Sequence, residues 1–596
     1  MQRIDINKIV RESNSKFFNQ LPNFIKDLII LFLNKLIRLQ EINSIIDKFN
    51  DKFGIDFIDE LFEHLDISYT VSAKDKLNIP SEGKLLVVSN HPLGGIDGLI
   101  LLKLISEIRT DVKIIVNNIL LNIDNLKEYF IPFDLFSGKT QRTNVEQIYN
   151  CLNNNEVIIV FPAGEVSRFY PTGIGDAAWK KSILQIAKKH RAPVLPVFVH
   201  AKNSLFFYIV SLFNKKLSIF LLPREVFNKK NKSFNVSIGH HIPSEAFENR
   251  YHKTNVQIKL LKKHVYLIGK GKKGIYESEK NVIHPLSRKL IKQQLDKSKV
   301  LGLTNDRKKI FLVQSETAPE VLKEIARLRE ITFRKVSEGT GKKMDYDKYD
   351  SYYQHIVLWD ENELEIVGSY RIGIGKHIMD KMGVSGFYTS ELFNHSKSFN
   401  NLLYNAAEMG RSFVQSKYWN TSALDYLWQG LGVFLRDNPD IKYLFGGVSL
   451  SKNYSDEAKK NIIYFYKKWF NDNSNLSSAK NKYILLNEDM YELENIYYSN
   501  DYKSELITLK NLLKVIGYSI PTLYKQYAEL CEPDGIKFID FCIDPNFNNC
   551  VDALILVDVD KIKQSKKERY IYNSRNKIKV SDNYEYSYKQ ELSETY

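Results

Sequence analysis

The sequence predicts an α/β protein in which a helical N-terminal segment precedes two α/β domains. The chain has 596 residues, more than one hydrophobic core organises, and 43% of them are hydrophobic. Short apolar runs alternate with helical patterns in both halves. We therefore expect a helical segment at residues 1–80, α/β domains at residues 81–300 and 301–565, and a polar, mobile tail at residues 566–596.

The N-terminal segment carries an amphipathic pattern. Lysines and an arginine are interspersed with apolar residues that recur at helical spacing, namely Leu28, Phe32, Leu36 and Leu39. Such a helix either packs on a domain or lies in a membrane interface, and the pattern allows both. The longest apolar runs of the chain are far shorter than the ~20 residues that span a bilayer.

The composition limits partners and compartment. A formal net charge of +15 suits an acidic partner, which can be nucleic acid, an anionic membrane or an acidic carrier protein. The sequence shows no nucleic-acid-binding motif, so we expect no nucleic acid. It also shows no signal peptide, and its four cysteines lack CxxC pairing, which favours a cytoplasmic protein with reduced thiols and no metal site.

The first α/β domain is predicted from four apolar runs separated by segments long enough for crossover helices. These runs read as strands buried on both faces, and they are "KLLVVSN", "VKIIVNN", "EVIIVFP" and "APVLPVFVH". A largely parallel sheet follows from this alternation. Residues 258–299 are lysine-rich and predict the end of this domain and a basic connector.

A first chemical centre is predicted where "VVSNHPLGGIDGLILL" turns from a strand into a helix. His91 supplies a base near neutral pH, and a carboxylate such as Asp97 can orient the ring and stabilise its protonated form. Gly94 and Gly95 allow the sharp turn between them. The alternative is that Asp97 only caps the following helix.

A second polar turn follows the third predicted strand, in "VIIVFPAGEVSR". Gly164, Glu165 and Arg168 lie at the carboxyl end of that strand, where open α/β sheets bind ligands. An arginine there suits a phosphate or a carboxylate.

These blocks resemble the glycerolipid acyltransferases of the 1-acylglycerol-3-phosphate type. "NHPLGGID", "FPAGEVSR" and "APVLPVFV" match that family in order over about residues 80–245, although five residues separate His91 from Asp97 where the family usually has four. The resemblance implies that His91 and Asp97 activate a hydroxyl for attack on an acyl thioester. It also implies that Gly164, Glu165 and Arg168 bind the acceptor.

The second half predicts strands at "KIFLVQ", "HIVLWD", "EIVGSYRIGI" and "YLFGGVSL", with helices near 318–334 and 455–470. Charged and aromatic residues recur between these elements. Glu408 and Arg411 in "AAEMGRSFV" are three apart, which places them on one face if this segment is helical or a tight turn. The candidate residues in this half are Arg327, Phe333, Asp345, Asp347, Arg371, Glu408 and Arg411.

This series resembles the acyl-homoserine-lactone synthases and, more closely, the ornithine N-acyltransferases of ornithine-lipid synthesis. The resemblance covers about residues 309–565 and implies a GNAT-like fold that takes acyl groups from acyl carrier protein. It implies that Glu408 receives the amine or its proton and that the other six candidates form the amine and acyl-carrier site. The alternative is that Glu408 and Arg411 are a structural ion pair.

The two resemblances together predict a bifunctional aminolipid synthase. The C-terminal domain would join a 3-hydroxyacyl group to the amine of a small amino acid, ornithine or glycine, and the N-terminal domain would esterify the 3-hydroxyl of this lyso-lipid. The expected donor is acyl carrier protein, or acyl-CoA, with no bound cofactor. A peripheral position on the inner face of the cytoplasmic membrane is expected. The alternatives are a lysophospholipid acyltransferase with a non-catalytic C-terminal domain, and a haemolysin-like membrane-active protein.

Overall fold

A computed structural model describes residues 22–117, 120–121, 123–132, 142–171, 173–247 and 253–572. The chain forms two compact units that divide between His284 and Pro285. The expected boundary at residue 300 is therefore too late. The helix Arg288–Leu295 already belongs to the second unit, because Ile291 and Leu295 are buried in the core of that unit.

The first unit contains a seven-stranded sheet and a two-stranded ribbon. Its strands are β1 (Ile67–Val71), β2 (Leu85–Ser89), β3 (Val112–Val116), β4 (Phe130–Pro132), β5 (Val157–Val160), β6 (Arg168–Tyr170), β7 (Gly173–Gly175), β8 (Val194–His200) and β9 (Lys232–Ile238). The sheet order is β1-β9-β8-β2-β5-β3-β4, and only the β8–β9 pair is antiparallel. The four predicted strands and the largely parallel sheet are thus confirmed.

Helices cover both faces of this sheet. They are α1 (Asn23–Ile37), α2 (Leu39–Lys48), α3 (Gly54–Leu65), α4 (Ala73–Lys76), α5 (Ile96–Ser106), α6 (Arg142–Asn153), α7 (Ser182–His190), α8 (Leu205–Phe213), α9 (Lys215–Phe220), α10 (Leu222–Phe227) and α11 (Thr254–Ile268). The strand β2 is buried throughout, and its alternate residues enter different cores: Leu85 and Val87 one, Leu86 and Val88 the other.

Two details of the N-terminal segment differ from expectation. The segment is not wholly helical, because β1 pairs with β9 at the edge of the sheet. Its long amphipathic helix is also broken, because Arg38 adopts a left-handed conformation (φ 58°) between α1 and α2. No helix in the described residues is long and apolar enough to cross a membrane.

The second unit is built on an eight-stranded, mostly antiparallel sheet. Its strands are β10 (Lys299–Leu303), β11 (Lys309–Val313), β12 (Gln354–Asp360), β13 (Glu365–Ile374), β14 (Phe393–His395), β15 (Ala406–Val414), β16 (Tyr443–Leu450), β17 (Ser477–Ala479), β18 (Ile536–Asp544) and β19 (Cys550–Asp558). The main sheet has the order β10-β11-β12-β13-β15-β16-β19-β18, while β14 and β17 pair separately. Only β15 and β16 are parallel, and their pairing ends at Glu408 and Phe445.

The helices of the second unit are α12 (Arg288–Leu295), α13 (Pro319–Lys335), α14 (Gly375–Met382), α15 (Thr389–Leu392), α16 (Lys397–Leu402), α17 (Ala423–Asp437), α18 (Asp456–Phe470), α19 (Asn487–Ile496), α20 (Tyr502–Val515), α21 (Thr522–Ala528) and α22 (Gln564–Lys567). The predicted strands and helices of this half are confirmed. The expected tail begins too early, because helical turns continue to Tyr572 and Tyr570 packs on Trp428. Residues 573–596 lie outside the described residues.

Candidate functional sites

The turn after β2 brings the predicted histidine and aspartate together. His91 Nδ1 lies 3.0 Å from Asp97 Oδ2. Asp97 stands in the first turn of α5 and is fully buried, whereas the His91 side chain keeps 18% exposure. The ring therefore has its Nδ1 engaged by a carboxylate and presents Nε2 as its second nitrogen, as a general base requires.

Backbone N–H groups bond the Asp97 carboxylate in this turn, which has one residue more than the resembled family usually has. The carboxylate accepts the N–H groups of Leu93 (2.9 Å), Gly95 (3.1 Å) and Gly98 (3.0 Å). Asp97 therefore orients His91 and holds the turn, whereas the N-cap residue of α5 is Gly95.

The electrostatics of the pair favour the ionised forms. Burial of the His91 ring opposes its protonation, but the charge and hydrogen bond of Asp97, together with the charge of Asp176, outweigh it and raise the pKa of His91. Burial likewise opposes ionisation of Asp97, yet His91 and the backbone N–H groups lower the pKa of that carboxyl. The result is a stronger base than a free imidazole.

Asp176 is a functional residue that the sequence analysis missed. It accepts the backbone N–H of His91 (3.2 Å), the Ser167 hydroxyl (2.5 Å) and the Trp179 indole N–H (2.9 Å). No motif surrounds it in the sequence, and it lies 85 residues from His91. It ties the turn of His91 to the loop after β5.

Gly94 is the position of the turn that only glycine suits. Its φ is +84°, and a Cβ there would lie 2.6 Å from Val166 Cγ2. The loop after β5 is therefore packed directly against the turn that carries His91. Phe161, at the start of this loop, stacks on the His91 ring with centroids 4.1 Å apart.

The predicted acceptor residues lie in this same loop. Gly164 has a φ of +68° and donates its N–H to the Phe161 carbonyl (3.0 Å), which closes the turn. Arg168 Nε donates to Glu165 Oε2 (2.9 Å), and its terminal nitrogen donates to the Ser218 hydroxyl (2.7 Å). The guanidinium is buried and already paired, so a ligand would meet an oriented ion pair.

A pocket of about 450 Å³ opens beside the turn. Two basic side chains and a tyrosine stand among its walls, which comprise Asn90, Pro92, Ser167, Ile174, Gly175, Phe198, His200, Ala201, Lys202 and Tyr266. The Asn90 side chain is fixed in this wall, because its amide bonds both backbone groups of Val199 on β8.

In the second unit, four of the predicted charged residues lie in one largely buried network with Asp350 on the sheet face that α13 covers, and they are Asp345, Asp347, Arg371 and Arg411. Arg371 donates to Asp347 (2.6 Å) and Asp350 (3.2 Å). Arg411 Nε lies 3.2 Å from Asp345 Oδ2. Nearby carboxylates raise the pKa of Arg371 above its usual range against the effect of burial, and the charges of Arg329 and Arg371 lower the pKa of Asp350.

The arginine that completes this network is Arg329 and not Arg327. Arg329 donates to both oxygens of Asp350 (2.9 and 2.8 Å), whereas Arg327 pairs with Glu324 on its own helix. Helical spacing could have found Arg329, since it stands four residues before Phe333 and so shares its face, while Arg327 stands six before it. Phe333 packs on Phe547 (centroids 5.1 Å apart).

Glu408 and Arg411 lie on the strand β15, so the helical interpretation of their spacing is wrong. Residues three apart in a regular strand face opposite sides of a sheet. A β-bulge opposite Tyr370 interrupts this alternation of faces. Arg411 takes a φ of +49° there, and its side chain turns to the face of Glu408. Met409 packs in one core of the unit and Phe413 in another, which marks the change of face.

Glu408 is buried, and its carboxylate accepts three hydrogen bonds. It accepts the Tyr353 hydroxyl, the Tyr388 N–H (2.9 Å) and the Thr389 N–H (2.7 Å). Arg411 lies over the Tyr388 ring (4.7 Å) rather than against Glu408. Glu408 thus anchors the loop that carries Tyr388 beside Arg411.

A narrow cavity of about 30 Å³ lies where β15 and β16 separate. Backbone of both strands forms its walls, from Met409 to Ser412 on one side and from Leu444 to Val448 on the other. Unpaired strand N–H groups at such a point can donate to a developing oxyanion.

Comparison with known proteins places an acyltransferase in each half. Residues 9–273 match the family described as acyltransferase, and residues 328–429 match the family described as acetyltransferase (GNAT) domain. Among solved structures, the 1-acyl-sn-glycerophosphate acyltransferase of Thermotoga maritima is similar at 17% identity and a TM-score of 0.26, covering 40% of this chain and 95% of that chain.

Two relatives from Bacteroides thetaiotaomicron are more similar in sequence. A glycine N(alpha)-acyltransferase is 34% identical over 303 residues, which cover 49% of this chain and 89% of the relative. A lyso-glycine lipid O-acyltransferase is 32% identical over 252 residues, which cover 41% of this chain and 90% of the relative.

Proposed function

Because the chain belongs to the family of bifunctional aminolipid synthases, whose O-acyltransferase and GNAT-like domains share one polypeptide, we propose that it makes a diacylated glycine lipid. The C-terminal unit would transfer a 3-hydroxyacyl group to the α-amine of glycine. The N-terminal unit would then acylate the 3-hydroxyl of that product. The observation that carries the proposal is that each half of the chain is covered by a different kind of acyltransferase.

The geometry of the first unit supports O-acylation. A hydroxyl that bonds His91 Nε2 would give its proton to the ring as its oxygen attacks the thioester carbonyl, and Asp97 would stabilise the imidazolium. The Glu165–Arg168 pair would hold the carboxylate of the lyso-lipid, and the neighbouring pocket has room for an acyl chain.

Glycine is favoured over ornithine by the relatives and by the charges. The carboxylates Asp345, Asp347 and Asp350 each lie beside a buried guanidinium, so a side-chain ammonium would have to compete with an arginine for them. Arg411, beside the point where the strands separate, could receive the carboxylate of a small amino acid.

The surface supports docking on a membrane and an acidic donor. Apolar side chains of α1 and α8, which both pack against α9, face outward and include Phe24, Leu28, Leu31, Leu205, Ile209, Leu212 and Phe213. Arg224 stacks on the exposed Phe206 of α8 (5.3 Å). Such a mixed surface suits a peripheral site on anionic lipid. The net charge of +15 suits acyl carrier protein as donor.

The experiment is lipid mass spectrometry of a bacterium that lacks aminolipids and expresses the whole chain. We expect a new diacylated glycine lipid, and from a His91→Ala variant only the monoacylated form. Its matched control is His190→Ala, a histidine outside the site that should leave the diacyl product unchanged. Rescue of a lysophosphatidate acyltransferase defect without any aminolipid would instead establish the lysophospholipid alternative.

A further inference from the structure

We propose that Asp552 and Glu338 form the proton-accepting pair for the amine in the C-terminal unit, with Glu408 as a positioning residue. The inference rests on the proposed acylation of glycine. It assigns the proton transfer to residues outside the motifs that the sequence singled out.

The position of Glu408 argues against a role as the base. Its two oxygens already accept a tyrosine hydroxyl and two backbone N–H groups, of Tyr388 and Thr389. Protonation of Glu408 by an amine would weaken the hydrogen bonds that these donors make, and with them the hold on the loop. The carboxylate therefore serves the site by holding Tyr388 beside Arg411.

Asp552 and Glu338 are brought together by the strand β16. Ser449 of β16 is the register partner of Asp552 on β19, so their side chains share a sheet face. The Ser449 hydroxyl donates to Glu338 Oε2 (2.8 Å). The pair thus stands on the face that also carries Arg411 and Glu408.

One oxygen of this pair forms no hydrogen bond with the described residues. Asp552 is 5% exposed; its Oδ1 lies 3.5 Å from the Cys550 thiol, and its Oδ2 forms no hydrogen bond with any described residue. A Cβ built on Gly447 would lie 3.7 Å from that Oδ2. Because glycine has no side chain, Gly447 leaves the space beside this oxygen open.

The surroundings keep both groups able to take up a proton near neutral pH. Burial, with added repulsion from Asp544 and Glu338, raises the pKa of Asp552 to about 7. Burial likewise raises the pKa of Glu338 to about 7, against the lowering effects of Ser449 and Arg411. The titratable and charged groups that face the pair are Arg411, Tyr388, Asp544, Cys542, Cys550, Tyr454 and Tyr524.

With this pair, each proton that leaves the glycine nitrogen has a defined acceptor. The glycine ammonium loses one proton to solvent, and the amine then attacks the thioester carbonyl carbon to form the C–N bond. The pair takes the second proton from nitrogen as the intermediate collapses and the C–S bond breaks. It returns that proton to the leaving thiolate, which departs as the thiol, and the pair is regenerated.

The test measures N-acylation and O-acylation by the same purified full-length chain over a range of pH. We expect Asp552→Asn to lower kcat for N-acylation about 100-fold or more with a small change in KM. The limb of the wild-type pH profile near 7 should be lost in this variant. Glu338→Gln should lower kcat less and shift that limb. The matched control is Asp540→Asn, a buried carboxylate of β18 that bonds Ala479 N–H and pairs with Lys467 and Lys482.

O-acylation by the same molecules shows that the first unit of each variant is folded, and thermal unfolding checks the folding of the second unit. A wild-type pH limb that survives in Asp552→Asn, or a kcat no lower than that of Asp540→Asn, would overturn the inference and leave the proposed function standing. A wild-type chain that forms no N-acylglycine would overturn the proposed function first, and the inference with it.

Discussion

The two candidate centres of this chain hold their charged side chains in place in different ways. In the first unit, one carboxylate is held mainly by backbone N–H groups of a single turn, and one ring responds to it. In the second unit, three guanidiniums and several carboxylates neutralise one another over segments far apart in the chain. In the first unit, the contacts that hold the site lie mainly within one turn, and the His91 ring is partly exposed. In the second unit, the charged residues of the site lie in the core.

The largest expected effect separates the two centres by activity. His91→Ala should lower O-acylation about 1000-fold, because the proposed general base is lost, while N-acylation of glycine stays within twofold. Product analysis of the same reaction mixture measures both. A parallel loss of both activities would show that the two centres do not work independently, contrary to the comparison.

The second prediction tests whether the charge network holds the second unit together. Arg329→Ala should lower the free energy of unfolding by about 3–5 kcal/mol, because Asp350 keeps only its longer contact with Arg371 and Asp345 loses its Arg329 neighbour. Lys323→Ala, an exposed residue of the same helix, is the control, and urea unfolding compares the two. Equal losses in both variants would mean that the network contributes no more than ordinary packing.

The third prediction concerns the turn of the first unit. Gly94→Ala should destabilise that unit by about 1–3 kcal/mol more than Gly83→Ala and should also slow O-acylation. Both glycines have similar positive φ values (+84° and +85°), but only at Gly94 would the new methyl group meet neighbouring atoms. If thermal unfolding shows the same loss for both variants, contact with Val166 does not shape the turn.

The smallest expected effect is a shift in pH dependence. His91 must be neutral to accept a proton, so O-acylation should rise with pH through the raised pKa of that ring. Asp176→Asn removes one of the charges that raise it, and the limb of the profile should move to lower pH. Asp124→Asn, on the surface, should leave the profile in place. A shift to higher pH would contradict the assigned sign.

These differences also explain how far the sequence could be interpreted. The first centre lies within seven consecutive residues, so its motif was visible, and the one partner that was missed, Asp176, comes from a distant loop. The strands were predictable because each is a short apolar run. In the second centre, the pattern alone did not distinguish Arg329 from Arg327, and the face of Arg411 depends on a backbone irregularity that no composition reveals.

The β-bulge at Arg411 has a consequence for how this segment can vary in length. Sheet faces alternate with a period of two, so the bulge acts as a single inserted residue that brings Arg411 onto the face of Glu408. Deleting Gly410 would restore a regular ladder in which Phe413 stays opposite Ser369, but Arg411 would then take the place of Gly410 opposite Arg371. The extra residue therefore keeps two guanidiniums from standing side by side, while both ends of β15 keep their faces.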